Sequence, residues 1–218
     1  MRQSKYGYGI EEPTPHVATI DFEMFYGGAF AAIGDLTLYE RASSQPVECN
    51  RPKVLLHQVA RMVWIGDRIE EVANGRPSFQ VMFYTIAAEA AAKIFVGFDG
   101  KGESRKHVLM FFTELCISDD LASLTAKFRN PGGSSLSAER LAQFLYDVRC
   151  LVAHQALYYH FSLASETNGV EMLSLPGDDR MVSTTATLGD LRETVLRGAA
   201  SSCKRLLAGE GCQEALSY

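Results

Sequence analysis

The sequence predicts a mainly all-α protein: a bundle of four to five helices with a small β-hairpin near residues 170–185. Three observations carry that expectation. From residue 51 onward, apolar residues recur at three- and four-residue spacing over long stretches. Those stretches are bounded by helix start and stop signals. The composition is that of a packed globular chain, with 47% hydrophobic and 22% charged residues among 218, enough for one domain.

The first fifty residues carry no clear period and stand as an unassigned N-terminal extension. Within them DFEMFYGGAFAAIGDLTLYERA reads as a helix interrupted at Gly27-Gly28, with a pair of strands as the alternative. Pro52 suits the first turn of a helix. Leu55, Leu56, Val59, Met62, Val63 and Ile69 follow it on one face up to the Asn74-Gly75 stop. A second helix is expected from Pro77 or Ser78 to Phe98, dense in alanine and aromatic residues. A third covers 104–117, and a short one 119–128. NPGGSS (130–135) is the clearest loop. Ser137 then reads as the N-cap of a fourth long helix, 138–164. VEMLSL and RMVSTT, separated by PGDD, read as the hairpin, and Thr187 with Asp190 opens a last amphipathic helix over 188–208. The organisation is therefore 1–50 as extension, 51–165 as bundle, and 166–218 as hairpin plus closing helix on the same domain.

Composition narrows the function classes. With 21 basic and 26 acidic residues the net charge is −5, so broad electrostatic binding of nucleic acid is excluded, and contact with RNA must come from a few placed groups. No run approaches the ~18 uninterrupted apolar residues of a membrane span, and the start has no apolar run for a signal peptide. A cytoplasmic protein without membrane contact is expected. Five widely spaced cysteines with no C-x-x-C pair fit neither a disulfide framework nor a zinc site. Cys116 and Cys150 sit in apolar runs and are expected in the core. GFDGKG matches no phosphate-binding loop, and no metal or cofactor is expected.

The fourth long helix is unusual. One stripe, with Leu141, Phe144, Leu145, Val148, Leu151, Val152 and Tyr159, is an ordinary core face. The opposite side offers Ala142, Tyr146, Cys150, Ala153 and Leu157, where a surface helix would be polar. Either this helix is central to the bundle or a second subunit covers its back. Arg149 and His154 interrupt that second face. Five residues apart, they differ by about 140° around the helix, so geometry alone does not pair them. An ordinary structural reading has Arg149 as an ion-pair donor to Asp147, Glu89 or Glu139, and His154 as a satisfied core histidine.

LYDVRCLVAHQ, Leu145 to Gln155, resembles the signature of HEPN domains, small helical bundles whose last long helix carries R-x(4 to 6)-H. The motif stands here as Arg149 through His154. AAEAAAKIF (87–95) resembles the A-E-A pattern of an earlier HEPN helix, with Glu89 as its polar residue. The likeness covers about residues 51–165. Cys150 departs from the small polar residue common after the arginine. Ala156 stands where the branch paired with nucleotidyltransferase antitoxins has tyrosine, so that regulation is not carried over. A second R-x5-H match, Arg51 and His57, straddles the start of the first long helix, where the family does not have it.

The resemblance implies a metal-independent endoribonuclease, with toxin or defence roles in view, whose homodimer brings two R…H motifs into one cleft. Cleavage by the neighbouring 2′-OH needs a base near neutral pH and an acid for the departing 5′-oxygen, tasks suited to histidine. A bidentate guanidinium can hold the phosphate. Arg149 is thus expected as phosphate clamp and His154 as acid/base, with Tyr146 and Glu89 as orienting groups. The expected partners are an RNA substrate and a second copy through the fourth long helix, with any antitoxin unidentified. The rival readings are a non-catalytic HEPN-like interaction or RNA-holding module, and a helical ligand-binding protein in which the pair is coincidence.

Overall fold

Apolar residues at helical spacing dictate the architecture of the computed structural model, which describes residues 20–72, 77–98, 100–155, 163, 171–173 and 181–211. In chain order the helices are α1 (Phe22–Ala32), α2 (Leu38–Ser43), α3 (Arg51–Val72), α4 (Pro77–Val96), α5 (Ser104–Met110), α6 (Ser118–Ala126), α7 (Ala138–Gln155) and α8 (Leu188–Leu207). Short strands β1 (Phe128–Arg129), β2 (Glu171–Leu173) and β3 (Val182–Thr184) complete it. The protein is mainly helical with a small antiparallel sheet, as expected, but the described residues hold eight helices where four to five were expected, because residues 22–43 add two and 118–126 a short one.

Caps read from the sequence are in place. The Ser137 hydroxyl accepts from the Arg140 amide at 3.2 Å. Thr187 and Asp190 form a reciprocal capping box that opens α8. The hairpin strands pair with Met172 opposite Ser183. One strand was not anticipated: β1, where a helix end was expected, adds to the other side of β3, giving the order β1-β3-β2. The expected continuation of the fourth long helix beyond Gln155, with Leu157, lies outside the described residues.

α4 is the shaft of the bundle, packed by α3, α5, α7 and α8. Ala87, Ala88, Ala91 and Ala92 are fully buried, so neighbouring backbones approach closely. By length and composition α4 could cross a membrane, with a mean hydropathy of 1.3. In this fold its apolar surface is spent on the core. The central, all-round apolar helix is thus α4 rather than α7. Gly66 on α3 faces it, and a Cβ there would stand 2.8 Å from Tyr84 Cε1. Beside this contact a polar stitch joins three helices. The Tyr84 hydroxyl donates to Asp67 at 2.6 Å, and Arg192 of α8 donates to the same carboxylate at 3.0 Å.

α1 runs through Gly27 and Gly28 without interruption; the chain turns at Gly34, where φ is 66°. Tyr26, Ala29, Phe30, Leu38 and Ala42 are buried with α3 and α8, so residues 22–43 share the common core. After α5 the chain winds as a π turn over Phe111–Leu115. There the Cys116 amide reaches back five residues to the Phe111 carbonyl at 3.0 Å. Phe111 and Phe112 are both fully buried, and Gly198 of α8 leaves room for the Phe111 ring. Cys116 is half-buried at this turn, and Cys203 rather than Cys150 lies in the core.

Two glycines should respond in opposite ways to alanine. Gly66→Ala gains helix propensity of about 1 kcal/mol but overpacks Tyr84, and should lose about 1–2 kcal/mol net in denaturant unfolding. A Cβ at Gly28 meets nothing within 4 Å, so Gly28→Ala should gain up to about 1 kcal/mol in the same measurement.

Candidate functional site

The site is assembled by α4, α5 and α7 around one carboxylate. Glu89 projects from α4 and is 7% exposed. A bare charge there would cost several kcal/mol, and three groups answer it. Lys93, one turn on, meets Oε1 at 2.7 Å. The hydroxyl of Ser104, first residue of α5, donates to the same oxygen at 2.7 Å. The Arg149 guanidinium of α7 approaches Oε2 at 3.5 Å. Burial pushes the Glu89 carboxyl up, but the hydrogen bonds from Lys93 and Ser104 and the charges of Lys93 and Arg149 outweigh it, leaving it below its ordinary value.

Ser104 is delivered by a forced turn. Gly97 and Gly102 lie at positive φ, and so does Glu103, at φ 56°, in a region costly for a side-chain-bearing residue. The Glu103 carbonyl accepts from the His107 amide and meets the His107 ring Nδ1 at 2.9 Å. His107 packs on Phe98, with ring centroids 4.8 Å apart.

The second half of the guanidinium turns outward. Arg149 Nη1 lies 3.5 Å from His154 Nε2, so the arginine curls back along α7 to span the angular offset of the two positions. The His154 ring is exposed, whereas the Arg149 side chain is only 19% exposed. Arg149 Nε is buried and has no hydrogen-bond partner among the described residues. A contact from Arg149 to Nε2 needs that nitrogen unprotonated, the form in which it accepts a proton.

Tyr146 stands one turn before Cys150 on α7, and both are half-buried. Hydrogen bonding to the Cys150 thiol, then burial, raises the Tyr146 hydroxyl above its ordinary pKa. The four sequence-derived residues, Glu89, Tyr146, Arg149 and His154, thus gather at one place. Sequence reasoning missed Lys93 and Ser104. The four-residue spacing from Glu89 was a visible signal for Lys93; Ser104 had none, because it arrives from the next helix.

The structure separates the other R…H pair. Arg51 donates to the Phe95 and Gly211 carbonyls at 2.8 and 3.2 Å. His57 instead stacks on Phe22, with centroids 4.2 Å apart.

On the outer face of α7, Ala142 is covered within the chain, Tyr146 and Cys150 are half-covered, and Ala153 is exposed. The apolar back is therefore narrower than its sequence implied. Among the described residues, no three His, Cys, Asp or Glu side chains form a group able to hold a metal. Comparisons of the chain with protein-family models, with curated proteins and with solved structures find no match.

Glu89 should leave a signature in acid. A carboxyl held below its ordinary value of 4.5 stabilises the fold above that value, and the contribution is lost as pH falls through the lowered one. Unfolding free energy measured between pH 3 and 6 should therefore fall more steeply in the wild type than in Glu89→Gln. At neutral pH the variant should be less stable by about 1–3 kcal/mol.

Proposed function

We propose that this protein is an endoribonuclease of the HEPN type, cleaving RNA by 2′-OH attack at a composite arginine/histidine site in a homodimer. The observation that carries the reading is the convergence of Arg149 and His154 at the protein surface, backed by a buried carboxylate. Helix geometry does not impose that meeting. The Glu89 contact holds one edge of the guanidinium and leaves Nη1 directed to the solvent side, where a phosphate can bind.

In the reaction, the 2′-oxygen attacks the adjacent phosphorus and the bond to the 5′-oxygen breaks, leaving a 2′,3′-cyclic phosphate and a 5′-hydroxyl. One His154 takes the 2′-proton and the partner copy's equivalent gives a proton to the departing 5′-oxygen. Each Arg149 offsets charge on the phosphorane. Glu89, held in turn by Lys93, orients Arg149, and Tyr146 borders the cleft.

A non-catalytic interaction module is the second reading. The net charge of −5 favours it, as does the internal pairing of Arg149 with Glu89. Labelled RNA incubated in EDTA decides between them: the wild type should cut, while His154→Ala and Arg149→Ala should not. Arg149→Ala should cost only about 1–2 kcal/mol of stability, since Lys93 and Ser104 still hold Glu89. A larger loss identifies the arginine as a purely structural charge.

The dimer is tested at Ala153, exposed on α7 beside His154. A two-fold contact pairs a patch with itself, so Ala153→Glu should break the dimer and abolish cleavage together. Sedimentation across a concentration series reads the first, and RNA gels the second. A wild-type monomer that still cuts would overturn the composite site.

A further inference from the structure

We infer that the exposed flank of α3 is a track for single-stranded RNA, formed by Lys53, His57 and Arg61 with the rings of Phe22 and Tyr39; the choice of RNA rests on the ribonuclease reading. These three α3 residues lie at four-residue spacing and share one face of the helix. Among the described residues neither Lys53 nor Arg61 has a carboxylate partner, in a chain with more acids than bases. Burial, and then the charges of Lys53 and Arg61, lower the His57 pKa. The stripe along α3 is therefore electropositive, with no ion pair to neutralise it among the described residues, while the exposed Asp21, Glu23 and Glu40 border the rings on α1 and α2.

Aromatic rings adjoin the cations. Phe22 stacks on His57 and also on Tyr39, the latter with centroids 5.0 Å apart and planes within 4°. The Tyr39 hydroxyl meets His57 Nε2 at 3.2 Å. All three rings are partly exposed. A cationic stripe beside flat rings is the combination that holds single strands, with phosphates on the cations and bases on the rings. At the far end of the face Arg68 is paired with Glu71 at 2.7 Å and lies over Trp64, so the stripe ends there.

The flank and the Arg149–His154 site belong to helices packed on different sides of α4. Gly66 of α3 meets α4 at Tyr84, and Arg149 of α7 meets it at Glu89. Two interaxial steps of about 8–10 Å separate them, so the flank holds RNA away from the scissile bond.

The chain's one tryptophan, Trp64, lies on this face one turn beyond Arg61 and reports on it. A short single-stranded RNA with 2′-O-methyl groups, which cannot be cut by 2′-OH attack, is titrated into the full chain and into Lys53→Gln/Arg61→Gln. Trp64 emission and RNA anisotropy are followed at several salt concentrations. The wild type should bind with a change in Trp64 emission. The variant should bind about tenfold more weakly, with a salt slope flatter by about 1.4 for two lost phosphate contacts. Lys53→Arg/Arg61→Lys should restore binding, and thermal unfolding of all three should coincide. Equal affinity and slope in the glutamine variant, no RNA binding by the wild type, or binding to phosphatidylserine vesicles in place of RNA each overturns the track. Loss of binding in the variant alongside a wild type that never cuts unmodified RNA keeps the track and removes the nuclease. Unchanged cleavage and KM in the variant remove the track and keep the nuclease.

Discussion

A carboxylate on an apolar helix has to be neutralised where it stands, and at Glu89 that requirement ties α4, α5 and α7 together. Lys93 comes from the same helix, at the spacing an ion pair prefers. Ser104 and Arg149 come from the two helices packed on that side. Because the charge is 7% exposed, water solvates it poorly, and the register of the three helices that brings these partners to it is favoured. The two oxygens of the carboxylate divide the work. Oε1 takes two short contacts that anchor it. Oε2 is left to a longer contact with a guanidinium that still reaches solvent.

The opposite side of α4 repeats the device with different residues. Asp67 collects the Tyr84 hydroxyl and the Arg192 guanidinium, joining α3, α4 and α8. Arg192 also lies 5.2 Å from the Phe25 ring centroid, which brings α1 into the same junction. Desolvation and the Asp67 contact raise the Tyr84 hydroxyl far above its ordinary value, so it stays a donor. Between these two carboxylates the shaft itself is alanine-rich. Small residues allow close approach but specify little about register, and the polar stitches supply what they lack.

The long helices were legible because their apolar spacing and caps agree. Leu55 to Ile69, Ser137 before α7, and the Thr187–Asp190 box each point to one answer. α1 was not, because FEMFYGGAFAA is apolar on nearly every side and carries two glycines, so periodicity cannot say which face is buried. β1 was hidden for another reason. Two residues are too few for an alternating pattern, and its place depends on pairing with β3, more than fifty positions away. At the site, residue identities could be read but their meeting could not. Helix angles keep Arg149 and His154 apart, and only the flexibility of an arginine stem closes the gap.

The π turn at Phe111–Leu115 also governs where the chain can change length. It absorbs one residue between two fixed anchors: Ser104 on Glu89 upstream, and Cys116 against Gly198 downstream. Deleting a residue there would close the same bond as a regular turn and leave the anchors in place, whereas deleting one from the regular helix before it, between Arg105 and Met110, would rotate one anchor against the other by about 100° and draw them about 1.5 Å closer. Either the carboxylate would lose its hydroxyl or the Phe111 ring would leave its glycine notch. The span from Ser104 to Phe111 therefore behaves as a spacer of fixed count, and the π turn after it is the place where one residue can be lost.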